Sequence, residues 1–283
     1  MRDTDIQWHP AFVSAMELEL KKDKNKLEFH REYNLNTKPL QIDLLVIKKD
    51  VVAELSNEIG KLFKGYNIIE YKSPDDSLNI DTFYKTQAYA GLYKASGKTV
   101  NERKAKDITV SIIRESKPVE LFKILKSENV QITMPYKGIY YINNGIAIFP
   151  TQIIVTKELS DKGHTWIKSL SSNMQMSGMK TLLNETAKLK SDYEKELADS
   201  ILEVALKVNN ELIEKLRGDG DMSGALLELV EPLILERERS AEQKGKILGA
   251  INALRNFGIS DEDIKTDIMK SYNLSEEEAE KYL

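Results

Sequence analysis

An α/β fold is the class this sequence predicts: a mixed central sheet flanked by helices, followed by a β-hairpin extension and an all-helical C-terminal region. Three observations carry that reading. Strand-like runs bounded by turn residues recur through residue 155. A helix-period segment lies between two of those runs, as a parallel crossover requires. Beyond Lys168 the apolar spacing is almost wholly helical.

The first element is a helix from Pro10 to Leu20, with Phe12, Ala15, Met16, Glu19 and Leu20 on one face and Pro10 in the first turn. Glu19 therefore faces the core or a site, and Glu17 points to solvent. Strands follow at Leu27 to His30, Leu40 to Lys48 and Tyr66 to Tyr71. Val51 to Lys64 reads either as an irregular connection or as a short helix. Pro74, Asp75, Asp76, Ser77 and Asn79 make 73–81 a turn. A second helix spans Thr82 to Lys94, with Asp81 as N-cap, Gly97 beyond its end, and a face of Tyr84, Gln87, Ala88 and Gly91 that suits close packing on a sheet. The next strand, Asp107 to Arg114, alternates Ile108, Val110 and Ile112 with Thr109, Ser111 and Ile113.

Short β segments come next, at Val130 to Thr133, Gly138 to Ile142, Ile146 to Phe149 and Gln152 to Val155, and Asn143-Asn144-Gly145 is a hairpin signal. Helices are expected at 191–216, 222–257, 261–271 and 275–283, the last opened by a capping box at Ser275-Glu276-Glu277-Glu278. The pattern divides the chain into residues 1–168, carrying the sheet, and a helical region 169–283.

Composition narrows the function classes. The chain has no cysteine, which excludes disulfides, thiolate metal sites and cysteine nucleophiles. No apolar run reaches the length of a membrane span and no leader-like segment opens the chain, so a cytoplasmic protein with no membrane partner is expected. Net charge is −4 but uneven: residues 1–130 hold 22 Lys and Arg against 20 Asp and Glu, and 131–283 hold 19 against 25. The first part is the place for a nucleic acid, if one binds. No Gly-rich phosphate loop ending in Gly-Lys-Ser/Thr occurs, and Ser14, Ser73 and Ser111 lack the spacing of a serine hydrolase.

What remains is a carboxylate and lysine set. Glu70 and Lys72 lie two apart on a strand, hence on one face, with Ile69 and Tyr71 on the other. Asp43 interrupts the apolar run Ile42 to Ile47, where an acid is costly unless paired or coordinated. An aspartate from a neighbouring strand can share a divalent cation with Glu70. The bland alternative is a Glu70–Lys72 ion pair on a solvated strand. His9, His30 and His164 are scattered and read as local hydrogen-bonding residues, with His30, on the strand before that of Asp43, kept near the site. Ser73 to Asp76 reads as a turn rather than a metal cluster.

Glu19 on a first helix, Asp43 on the second strand, Glu70-x-Lys72 on the third and Gln87 on the next helix resemble, in order and spacing, the active-site set of the PD-(D/E)XK nuclease superfamily. More narrowly, Trp8 to Phe12, Pro39 to Lys49 and Asp81 to Tyr93 resemble the bacterial recombination-promoting nuclease and putative transposase group, over roughly residues 6–160. Ile42 stands where the superfamily's name has proline, and Gly91 breaks the Gln-x-x-x-Tyr pattern of related exonucleases, so Tyr89 or Tyr93 takes the tyrosine's place. The resemblance implies a restriction-endonuclease-like core and Mg²⁺-dependent hydrolysis of DNA, with Mn²⁺ as the other acceptable ion. It implies Asp43 and Glu70 as metal ligands, Lys72 as the residue that orients water and stabilises charge, Glu19 as a holder of a second metal or a water ligand, and Gln87 as a positioning residue. A nuclease fold with structural carboxylates, serving as a nucleic-acid-binding or oligomerising module, is the rival reading. In either case the helical region carries no candidate ligand. Its stripe of Leu197, Ile201, Val204, Ala205 and Val208 must bury itself against the core or a second copy of the chain.

Overall fold

The computed structural model describes residues 8–34, 41–143, 147–160, 163–209, 211–212, 215, 224–256 and 259–283. Seven strands form one mixed sheet: β1 (Leu27–Asn34), β2 (Gln41–Lys48), β3 (Tyr66–Lys72), β4 (Ile108–Arg114), β5 (Gln131–Tyr136), β6 (Ile139–Asn143) and β7 (Thr151–Val155). Their spatial order is β1-β2-β3-β4-β7-β6-β5. The pairs β3/β4 and β4/β7 are parallel and the others antiparallel. The expected crossover between β3 and β4 is α2 (Ile80–Ala95). It is capped by Asn79 rather than Asp81, because the Asn79 carboxamide accepts from the Thr82 N–H at 2.9 Å.

Strand alternation decides what covers each face. Ile68, Val110, Ile112 and Ile153 join Phe83, Tyr89, Ala90 and Tyr93 of α2 and Leu121, Phe122 and Leu125 of α3 (Val119–Ser127) in one core. That third helix went unread in the sequence, although Leu121, Phe122 and Leu125 carry helical spacing after Pro118. On the opposite face Tyr71 stacks on Phe12 of α1 (Trp8–Glu19), with ring centroids 4.5 Å apart.

The helix α1 is buried nearly all round, because α6 (Asp192–Val208) packs along its far side. This corrects the reading of Glu17 as solvent-exposed. It is only 8% exposed, its carboxylate held by Arg31 at 2.8 Å and by the Tyr193 hydroxyl of α6. The α6 stripe is settled the same way: Leu197, Ile201, Val204 and Ala205 are buried within this chain, in the unit that holds the sheet. The compact units are Met1–Gly218 and Asp219–Leu283, so α4 (Thr165–Lys168), α5 (Met176–Ala187) and α6 belong with the sheet; the boundary read after residue 168 falls inside the first unit. The second unit contains helices Gly224–Asn256, Asp261–Tyr272 and Glu276–Glu280 around Ile247, Ile251, Ile264, Ile268 and Ala279. The Ser275–Glu278 capping box is present.

Two local expectations change. Residues 147–149 are not a strand: the Phe149 N–H points to the Gln87 carboxamide and the Pro150 carbonyl accepts from Val110, which delivers the chain directly into β7. The Asn143-Asn144-Gly145 hairpin reaches 144–146, outside the described residues. The turn observed is Lys137-Gly138, between β5 and β6. Gly138 has φ +77°, and a Cβ there would lie 2.7 Å from the Leu159 nitrogen and 2.8 Å from the Glu158 carbonyl carbon. Both are backbone atoms that cannot step aside. Gly138→Ala is therefore expected to cost about 2–4 kcal/mol, read as a lower urea midpoint at unchanged slope; an unchanged midpoint would refute this close approach.

Candidate active site

The β2/β3 register pairs Leu45 with Ile68 and Leu44 with Ile69 and ends there, and Asp43 and Glu70, the next residue on each strand, lie close enough for the Asp43 charge to act on Glu70. Beyond that pair the Tyr71 N–H donates to the Asp43 side chain, at 2.8 Å from Oδ2, which fixes the carboxylate between the two strands. Glu70 and Lys72 leave β3 on the α2 side, as Ile68 does, while Tyr71 points to α1. Lys72 Nζ donates to Glu70 Oε1 at 2.7 Å. Glu70 Oε2 is buried and has no hydrogen-bond partner. The structure thus brings together Asp43, Glu70 and Lys72.

Three more ionisable side chains reach this cluster. His9 Nε2, from the first turn of α1, lies 3.8 Å from Asp43 Oδ2. Lys85 of α2 acts on Glu70, and Asp76 acts on Asp43, Lys72, Tyr71 and Arg114. Ser73 donates to Asp76 from its N–H and its hydroxyl, at 3.2 and 2.8 Å, so the turn reading of Ser73 to Asp76 holds. Sequence reasoning reads His9 as a local hydrogen-bonding residue and Asp76 as part of a turn, and it singles out neither Lys85 nor Arg114. Arg114 alone left a signal, as the last residue of the face that carries Ile108, Val110 and Ile112.

Burial raises the pKa of Glu70, the Asp43 charge raises it further, and Lys72 and Lys85 oppose both. Asp43 is also raised, by burial first and by Asp76, against His9, the Tyr71 N–H and Lys72. Burial alone would depress Lys72, but Glu70 and Asp43 outweigh it and its pKa is raised, so the side chain is an ammonium donor and not a base. Two carboxylates pushed up together, one with an orphaned oxygen, form a site short of positive charge. Hard oxygens of this kind fit Mg²⁺, which keeps several waters and needs few protein ligands. Among the described residues no group of three or more His, Asp or Glu side chains converges as a metal cage.

The structure does not bring Glu19 or Gln87 to the cluster. Glu19 sits at the far end of α1 from His9, ten residues and about 15 Å along the axis. Its carboxylate accepts from the Ile167 N–H at 3.1 Å and from the Asn57 carboxamide at 3.3 Å, with His164 Nδ1 at 3.3 Å. The Gln87 carboxamide, buried under the sheet, donates to Thr151 Oγ1 at 2.9 Å and accepts from the Phe149 N–H at 3.4 Å, so it braces α2 on β7. His30 lies 2.9 Å from Glu28 on the edge strand β1. Of the two tyrosines, Tyr93 packs with Tyr33, Tyr66 and Arg103, while Tyr89 lies under Lys85.

No family model matches this chain, and no curated protein or solved structure matches it either. The functional reading therefore stands on the site's own geometry and on the motif resemblance.

The Glu19 node also makes a pH prediction. His164 is 2% exposed, with Nδ1 facing Glu19 and Nε2 3.2 Å from Glu58 Oε2. Burial pulls its pKa down, but the two carboxylates outweigh that and raise it. The stability it contributes is complete below the free imidazole value of about 6.5 and is lost as pH rises through the folded value. Melting curves from about pH 5 to about pH 9 should show a fall in wild type that His164→Gln flattens; equal slopes would refute the linkage.

Proposed function

We propose that the protein is a metal-dependent deoxyribonuclease that hydrolyses DNA phosphodiester bonds on a restriction-endonuclease-like, PD-(D/E)XK core. The observation that carries the reading is the meeting of Asp43 and Glu70 across β2/β3, with Lys72 beside them and Glu70 Oε2 buried without a partner. A bound divalent cation, Mg²⁺ or Mn²⁺, would supply Lewis-acid polarisation and lower the pKa of its water.

The chain's own groups do the rest. Asp43 and Glu70 present the oxygen donors, with Asp43 held in aim by the Tyr71 N–H. Lys72, kept protonated, stands where it can hold the attacking water by hydrogen bond and stabilise negative charge that grows on the phosphate. Lys85 adds positive potential near Glu70, and His9 Nε2 stands 3.8 Å from Asp43. Neither Glu19 nor Gln87 has a chemical part in this mechanism. Glu19 anchors the 164–168 segment to α1, and Gln87 holds the sheet's parallel centre to α2.

The rival reading, an inactive nuclease fold that binds nucleic acid or other chains, draws on the 2.7 Å Lys72–Glu70 ion pair, which gives Lys72 and one Glu70 oxygen a partner without a metal ion. Incubation of supercoiled plasmid with the full-length protein separates the two. Nicked or linear DNA with Mg²⁺ or Mn²⁺, and none with EDTA, is expected. Intact plasmid under both conditions would favour the inactive module.

A further inference from the structure

Arg114 is a cation near the site whose guanidinium has no ion-pair partner among the described residues. The parallel register sets Arg114 beside Lys72, so the two side chains leave adjacent strands on the same side of the sheet, the side of Glu70. Ile108, Val110 and Ile112, which precede it on that face, lie in the core under α2. The guanidinium is partly buried, its Nε is enclosed without a hydrogen-bond partner, and among the described residues it makes no ion pair.

Its two charged neighbours are already engaged. Asp76 accepts from the Ser73 N–H and hydroxyl. Glu115 accepts from the Ser171 hydroxyl and the Ser172 N–H and pairs with Lys157 at 3.4 Å. Burial accordingly depresses the Arg114 pKa more than Glu115 and Asp76 raise it. A buried guanidinium N–H with no acceptor is costly, and the group that satisfies it best is a planar or tetrahedral oxyanion taken bidentately. Asp76 also acts on Asp43 and Lys72, which ties this cation to the same cluster.

We propose that Arg114 binds a backbone phosphate of the DNA, one adjoining the phosphodiester held at Asp43, Glu70 and Lys72. The inference rests on the nuclease reading and extends it by a substrate-binding residue.

The test measures binding without cleavage. A fluorescein-labelled DNA duplex is titrated with full-length Asp43→Asn protein, and with the same protein carrying Arg114→Ala or Arg114→Lys, across a range of salt concentrations. Arg114→Ala is expected to raise Kd about tenfold and to make the plot of log K against log salt shallower by about one. Arg114→Lys should keep the salt slope and recover only part of the affinity. Since the Arg114 guanidinium makes no ion pair among the described residues and its Nε has no hydrogen-bond partner, its alanine variant should melt at or above the parent's temperature. Equal affinity and slope in Arg114→Ala, or a melting point several degrees lower, would overturn the assignment. If the Asp43→Asn parent fails to bind DNA and the wild type fails to nick it, the nuclease reading itself falls and Arg114 with it.

Discussion

Asp43→Ala and Glu70→Ala are each expected to lower Mg²⁺-dependent nicking by at least about a hundredfold while the protein stays folded. Each removes a donor and a negative charge from a site where, among the described residues, no third carboxylate or histidine completes a metal cage. The same changes should raise the melting temperature of the metal-free protein. Both carboxyl pKa values are raised in the fold, chiefly by burial. For a carboxyl so shifted, stability is complete below its unfolded pKa and is lost as pH rises through the folded one. Glu70→Gln should therefore melt higher than wild type at neutral pH, with the difference closing as pH falls below about 4. A variant that nicks normally, or that melts lower at neutral pH, would show that Glu70 is a structural ion-pair partner of Lys72.

Glu19→Ala is expected to do the reverse: to cost about 3–5 kcal/mol in stability and to leave nicking per folded molecule intact. Its carboxylate is wholly enclosed, accepts from the buried Ile167 N–H and from Asn57, and faces His164 Nδ1 at 3.3 Å, so removal strands the Ile167 N–H and takes the counter-charge from beside a buried imidazole. Glu19→Gln keeps an acceptor for Ile167 and Asn57 and should lose less, mainly the His164 attraction. Urea unfolding and nicking on the same preparations decide the matter. Lost nicking at preserved stability would restore Glu19 to the metal site, as the family resemblance has it.

The sheet was legible because alternation is local. Ile68-Ile69-Glu70-Tyr71-Lys72 states in five residues which side chains share a face, and the helix between β3 and β4 forces their parallel pairing. The central trio of the site followed, since β2 and β3 are neighbours in the chain. What stayed hidden depends on distant contacts. A helix wheel sends Glu17 to solvent and Glu19 to the apolar face, but both are buried, Glu17 claimed by Tyr193 of α6, 176 residues away, and Glu19 by Ile167, 148 residues away. Gln87 has the right place in the order for a site residue, yet its carboxamide is taken by β7 from the other side of the sheet's centre. The Lys137-Gly138 turn was obscured by the stronger asparagine–glycine signal nearby, although the close backbone of Glu158 and Leu159 is what requires glycine there. Arg114 gave no motif, and its meaning lies only in the absence of a partner.

The account's central claim is that Asp43 and Glu70 hold the divalent cation. Mn²⁺ binding to the full-length protein, followed by electron paramagnetic resonance of the free ion, tests it most directly. Wild type and Glu19→Ala should take up Mn²⁺ with similar affinity, and Asp43→Ala and Glu70→Ala should each lose that binding. Uptake that survives both of those changes, or that disappears only in Glu19→Ala, would contradict it.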